Sequence, residues 1–176
     1  MEKLEMERLK ELIRSIPDFP EKGVMFRDIT TALKDKQGLH AIIDDFTNRY
    51  TDKGIDYVLG ADARGFIFGA AIAYNIGAGF VPARKIGKLP GETARVEYDL
   101  EYGTNTIEVH NDAFEKGANV LIADDLLATG GTAAAMVKLV EMLGADVYEL
   151  AFLIELEDLN GRDLLDGHSV YSILKY

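Results

Sequence analysis

Val120-Leu-Ile-Ala-Asp-Asp-Leu-Leu-Ala-Thr-Gly-Gly-Thr-Ala133 is the stretch from which the rest of the chain can be read. Val120 to Ala123 form an unbroken apolar run, the pattern of a strand buried on both faces, while Ala133, Met136, Val137, Val140 and Leu143 recur at helical spacing. The order is strand, acidic pair, glycine turn, helix. In open α/β sheets the carboxyl ends of such strands face the ligand crevice, so Asp124 and Asp125 are placed to accept hydrogen bonds from sugar hydroxyls. Behind them Ala128, Thr129, Gly130, Gly131 and Thr132 let backbone N–H groups converge on an anion at a helix N-terminus, with two threonine hydroxyls as further donors. A ribose phosphate fits that description. A P-loop does not, because no Gly-Lys-Ser/Thr follows the turn.

Working outward, the same unit occurs once earlier. Tyr57 to Gly60 reads as a short buried strand, Ala61 to Gly69 as a turn, and Ala70 to Ala73 as the continuation of a small-residue helix. Phe80 to Ala83 is a further strand, with a basic loop beyond it carrying Arg84, Lys85 and Lys88; Gly87 and Gly91 give that loop the freedom of a lid. Residues 96–102 and 106–110 alternate around Gly103-Thr104-Asn105, the signature of an antiparallel hairpin, here a flap spanning with the loop about 85–110. Val147 to Ile154 and Val170 to Leu174 supply the last strands. Strands alternate with helices through most of the chain, which predicts an α/β fold with a central, mostly parallel sheet flanked by helices.

The amino-terminal region departs from that rhythm. Leu4, Leu9, Leu12, Ile13 and Ile16 form an apolar stripe, predicting an amphipathic helix over 3–15 that stops before Pro17. Residues 16–30 hold two prolines and a glycine and read as a loop, yet Phe19, Val24, Met25, Phe26 and Ile29 need a destination. Either the loop packs over a core, or it forms a slot for a flat ring, with Phe26 stacking on it and backbone groups of Val24 and Arg27 reading its edge. From Thr31 to Tyr50 apolar residues return to helical intervals.

The chain has 176 residues and no repeat, which predicts one domain, 1–176, with a core large enough to need no staples. It lacks cysteine, its amino terminus is charged, and it has no apolar run long enough for a bilayer; a soluble cytoplasmic protein is expected. A net charge of −11, from 19 basic and 30 acidic residues, argues against non-specific nucleic-acid binding but not against a small anion held by local positive charge. His110 and His168 stand alone, without the spacing of a metal site.

Asp124-Asp125-Leu-Leu-Ala-Thr-Gly-Gly-Thr132 resembles the phosphoribosyl pyrophosphate (PRPP) motif of type I phosphoribosyltransferases, and its wording is closest to the adenine phosphoribosyltransferase family. Four more blocks resemble that family in the same order. Pro17-Asp-Phe-Pro with Gly23-Val-Met-Phe-Arg-Asp-Ile29 resembles its adenine hood, which implies Val24, Phe26 and Arg27 as base contacts. Asp62-Ala-Arg-Gly-Phe66 resembles its pyrophosphate loop, where a cis peptide near Asp62 and Ala63 is expected, and Arg84-Lys-Ile-Gly-Lys-Leu-Pro-Gly91 resembles its basic loop; these imply Arg64, Arg84, Lys85 and Lys88 as PRPP contacts. Leu100-Glu-Tyr-Gly103 resembles the element whose glutamate serves the purine, which makes Glu101 the candidate acid/base. The resemblance implies adenine and PRPP as substrates, AMP and pyrophosphate as products, magnesium carried mainly with PRPP instead of in a protein cage, and a homodimer. A PRPP- or purine-sensing regulator on the same fold and an oxopurine phosphoribosyltransferase are the alternatives.

Overall fold

The structure is a computed structural model that describes residues 3–99 and 103–176. The chain forms two compact units, Met1–Asn48 and Arg49–Tyr176.

In the first unit, helix α1 (Lys3–Leu12) ends earlier than expected because the chain at once enters strand β1 (Arg14–Pro17), paired antiparallel with β2 (Met25–Asp28). The expectation of a plain loop over 16–30 is thereby corrected: its two ends form a ribbon. A charged cross-strand pair ties one end of the ribbon, Arg14 opposite Asp28, with the Arg14 guanidinium donating to the Asp28 carboxylate. The Thr30 hydroxyl and Arg14 together hold the Asp28 carboxyl at about 2, below its usual range. Neither strand is long enough to show alternation, and the charge pair is meaningful only once the register is known. A second correction concerns the helix expected from Thr31. It is two, α2 (Thr30–Lys34) and α3 (Lys36–Tyr50), divided at Asp35, whose ψ of 125° interrupts the helix and whose carboxylate accepts the Gly38 N–H at 2.7 Å as an N-terminal cap.

The second unit contains β3 (Tyr57–Ala61), α4 (Arg64–Ile76), β4 (Gly79–Lys85), β5 (Thr93–Asp99), β6 (Thr104–His110), β7 (Asn119–Leu127), α5 (Gly131–Met142), β8 (Asp146–Glu155) and β9 (Val170–Lys175). They build a seven-stranded sheet in the order β5-β6-β4-β3-β7-β8-β9. The five strands from β4 to β9 run parallel, and the β5–β6 hairpin is added antiparallel to β4. This is the mostly parallel sheet with flanking helices that the alternation predicted. On one face Leu59, Ala61, Val81, Ala83, Val120 and Ile122 pack with Ala133, Met136, Val137 and Val140 of α5 in one apolar core. Burying this cluster is the main stabilising force of the unit.

The topology decides where a ligand can sit. From β3 the chain crosses through α4 to β4 on one side, and from β7 it crosses through α5 to β8 on the other. Right-handed crossovers in opposite directions put the two helices on opposite faces and open a crevice between the carboxyl ends of β3 and β7, the switch point of the sheet. Two strand ends also run further than expected. β7 continues through both aspartates, held by pairing with β8 as far as Leu127 opposite Glu155. β4 continues through Arg84 and Lys85, opposite Glu108 and Ile107 of β6. Four candidate residues thus stand on paired backbone.

Candidate active site

At the switch point the acidic pair ends on β7 while α4 begins beside it. Arg64 is the first residue of α4, and its Nε lies 2.9 Å from Asp125 Oδ2 in an ion pair. Gly65 follows because the helix comes very close to the strand: a Cβ there would stand 2.9 Å from both the Ala123 carbonyl and Asp124 Oδ1. The peptide between Asp62 and Ala63 is cis, at the expected position. Asp124 Oδ1 accepts the Asp125 N–H at 2.8 Å. Burial drives the Asp124 carboxyl well above its ordinary range, and the charge of Asp125 pushes it the same way. Burial raises Asp125 too, against the opposing pull of Arg64. One arginine does not balance two carboxylates, so the ligand-free pair gives up its last proton at a higher pH than an ordinary aspartate does.

The phosphate-type turn follows directly. Leu126 to Ala133 wrap a small hollow of about 80 Å³ at the start of α5, where first-turn amides have no partner within the helix. Gly130 makes the turn possible. It adopts φ 88°, and a Cβ there would collide with the carbonyl of Gly161, which belongs to a 3-10 turn (Gly161–Leu165) packed behind it. Gly130→Ala therefore suffers both backbone strain, about 1–3 kcal/mol, and the collision, and the turn must move to relieve them. The expected result is a PRPP affinity weakened about ten- to a hundredfold with the fold retained, read by calorimetric titration and circular dichroism.

Between the acidic pair and the hairpin lies a cavity of about 300 Å³, lined on one side by Asp62, Ala63, Arg64, Asp124, Asp125, Ala128 and Thr132, and on the other by Lys85, Tyr98, Asn105 and Thr106. The structure thus brings Arg64, Lys85, both aspartates, Ala128 and Thr132 around one space, while Thr129, Gly130 and Gly131 line the adjoining small hollow. Arg84 and Lys88 are not in its lining. Arg84 donates through Nε to Asp62 at 3.0 Å and through Nη1 to the Lys88 carbonyl at 3.3 Å, tying the basic loop to the turn after β3. The Lys88 side chain is exposed. Glu101 lies outside the described residues.

Several participants escape a reading of sequence. Glu108, in the alternating hairpin, should face solvent, yet it is fully buried. It accepts the Lys88 and Leu89 N–H groups at 3.2 Å each, and the Thr93 hydroxyl and Arg95 Nε at 3.0 Å each. Burial works to raise its pKa, but these donors outweigh it and hold the carboxyl below its usual range, so the basic loop is anchored on a buried anion. Tyr98 and Gly161 also gave no signal; their importance depends on partners distant in sequence.

The hood residues belong to the first unit. Phe19, Val24 and Met25 are 50%, 44% and 46% exposed, so the loop does not simply bury its apolar load. Phe26 is half-buried and meets Phe19 edge-on, with ring centroids 5.1 Å apart. Arg27 donates to the Ser15 hydroxyl on the facing strand. The Val24 N–H donates to the Glu21 carbonyl at 3.1 Å, and its own carbonyl accepts the Phe19 N–H at 3.2 Å, which leaves that oxygen a second lone pair for a ligand.

Known proteins match this arrangement. The family model for the phosphoribosyl transferase domain matches residues 30–174. An adenine phosphoribosyltransferase of Geotalea uraniireducens is 56% identical over 171 residues, covering 97% of this chain and all of the relative. Among solved structures, adenine phosphoribosyltransferase from Thermoanaerobacter pseudethanolicus superposes with a TM-score of 0.94 at 50% identity, covering 97% of this chain and 99% of that one. The Saccharomyces cerevisiae enzyme, complexed with an imino-altritol bisphosphate and adenine, superposes at 0.91 with 38% identity, over 97% of this chain and 99% of that one. With a sheet, a switch-point turn and full-length identity all in agreement, the chain belongs to the adenine phosphoribosyltransferase family.

Proposed function

We propose that the protein transfers the 5-phosphoribosyl group of PRPP to adenine, forming AMP and pyrophosphate, as in purine salvage. The observation that carries this reading is the pair of adjoining hollows, one lined by the buried aspartate pair and the other by the glycine turn at a helix N-terminus, which share Asp124, Leu126, Ala128 and Thr132. Asp124 and Asp125 hold the ribose hydroxyls, and Ala128, Thr129, Gly130, Gly131 and Thr132 hold the 5′-phosphate through backbone amides and hydroxyls. Arg64 and Lys85 meet the pyrophosphate from the cavity wall, and Arg84 and Lys88 do so from the basic loop when it closes. Positive charge develops at the anomeric carbon as pyrophosphate leaves; fixed cations around the departing group and exclusion of water lower that barrier. Val24, Phe26 and Arg27 hold adenine, and Glu101 orients the purine or takes its proton.

The donor set suits magnesium only as part of the substrate. The aspartates offer the hard oxygen ligands that Mg²⁺ takes, but Asp125 is already paired with Arg64, and among the described residues no three His, Asp or Glu side chains converge on one point. Magnesium arriving on PRPP would meet Asp124 and Asp125 through the ribose hydroxyls and neutralise charge on the leaving group. Among the described residues no helix is long and apolar enough to cross a membrane; family resemblance supports a cytoplasmic homodimer. The test is to incubate the protein with PRPP, magnesium and, separately, adenine, guanine, hypoxanthine or xanthine. AMP formation with adenine alone is expected. Nucleotide from an oxopurine instead, or PRPP binding without turnover, would overturn the assignment in favour of the oxopurine enzyme or the regulator.

A further inference from the structure

The hairpin touches the phosphate turn at one polar point. The Thr132 hydroxyl donates to the phenol oxygen of Tyr98 at 3.2 Å, and Tyr98 and Thr132 line the same cavity. Tyr98 stands on β5 opposite Asn105 of β6, which also lines the cavity, and its ring packs against the apolar core of the unit. The ring's place is therefore set by packing, and the hydroxyl is free to serve another purpose. Only two residues separate Tyr98 from Glu101 along the chain.

We infer that Tyr98 is a positioning residue that couples occupancy of the 5′-phosphate turn to the hairpin, acting through the Thr132 hydroxyl. The inference rests on the PRPP reading of that turn. A threonine hydroxyl has one proton to give. In the ligand-free protein it gives it to Tyr98. A phosphate in the turn is the stronger acceptor, so the Thr132 proton rotates towards it, which turns a lone pair of the threonine oxygen towards the phenol. The phenol reverses its role and donates to that oxygen. The resulting chain runs from phenol to threonine to phosphate, each bond polarising the next. Filling the turn thereby strengthens the bond that holds β5 to the phosphate turn. Without phosphate the tie is a single neutral hydrogen bond.

Tyr98→Phe deletes one oxygen and keeps the ring, so melting temperature and circular dichroism should match the wild type. Expected is a fall in kcat/KM for PRPP of about three- to tenfold, the usual range for one hydrogen bond, with KM for adenine unchanged. Ribose 5-phosphate, which carries the phosphate but no pyrophosphate, should inhibit the variant less well by the same factor, whereas inhibition by pyrophosphate should not change. In a Thr132→Val background the Tyr98→Phe substitution should have no further effect. Wild-type kinetics in Tyr98→Phe, or an equal loss in both backgrounds, overturns the coupling while leaving the PRPP site intact. A wild-type protein that makes no AMP from PRPP overturns the site reading, and the coupling with it.

Discussion

Replacing Glu101 by glutamine should lower kcat by about 10²–10⁴, the range for loss of a general acid or base, while KM for PRPP changes little. The two strands on either side of this residue are described even though Glu101 is not: β5 ends at Asp99, paired with Thr104 at the start of β6. Tyr98 and Asn105, neighbours across that ribbon, line the cavity that holds Asp124 and Asp125. The hairpin whose sequence carries Glu101 between its two strands therefore borders the cavity that Asp124 and Asp125 line. Glutamine keeps the size of the side chain and its capacity to hydrogen-bond but cannot take a proton, so it separates a chemical role from an orienting one. Steady-state kinetics would show the loss in kcat, and the acidic limb of the pH profile of kcat/KM for adenine should disappear with it. Undiminished turnover in Glu101→Gln removes the proposed role.

The two halves of this site differ in how far sequence alone reveals them. The buried strand, the acidic pair and the glycine turn are local: Val120 to Thr132 carry their own periodicity and punctuation, and the structure reproduces that order. The mostly parallel sheet follows from alternation for the same reason. What stayed hidden is non-local. Glu108 occupies a polar position in an alternating strand, and only the approach of Lys88, Leu89, Thr93 and Arg95 turns that position into a buried anchor. Gly161 looks like an ordinary turn glycine until its carbonyl is found against Gly130. Arg64 was assignable to an anion by resemblance, but its ion pair with Asp125 required knowing that α4 begins beside the end of β7. The β1–β2 ribbon was missed because its strands are four residues each, too short for a period to show.

Asp124→Asn combined with Asp125→Asn should reduce kcat/KM for PRPP by about 10²–10³, since two charge-assisted hydrogen bonds of about 1.5–3 kcal/mol each become neutral ones. The single Asp124→Asn variant separates stability from function. Burial, with the charge of Asp125, raises the Asp124 carboxyl in the ligand-free fold, so its favourable neutral form is fully populated below the unfolded value near 3.8 and is lost as pH rises through the higher folded value. Asparagine is neutral at every pH. The variant should therefore melt at a higher temperature than the wild type at neutral and alkaline pH, with the difference shrinking below about pH 4, the unfolded carboxyl range. Binding follows the opposite sign. Ribose hydroxyls and positive charge arriving with the substrate favour the ionised pair, so complex formation should draw protons off the pair, and affinity for PRPP in the presence of magnesium should rise with pH until the free pair is ionised. Titration calorimetry in buffers of differing ionisation enthalpy would show a buffer-dependent heat for the wild type and none for Asp124→Asn. Wild-type PRPP kinetics in the double variant would remove the aspartates from the ribose site, and a buffer-independent heat in the wild type would show that the empty pair is already fully ionised. The shortage of positive charge around the buried pair is thus what costs the empty fold stability, and a ligand that brings such charge should relieve it.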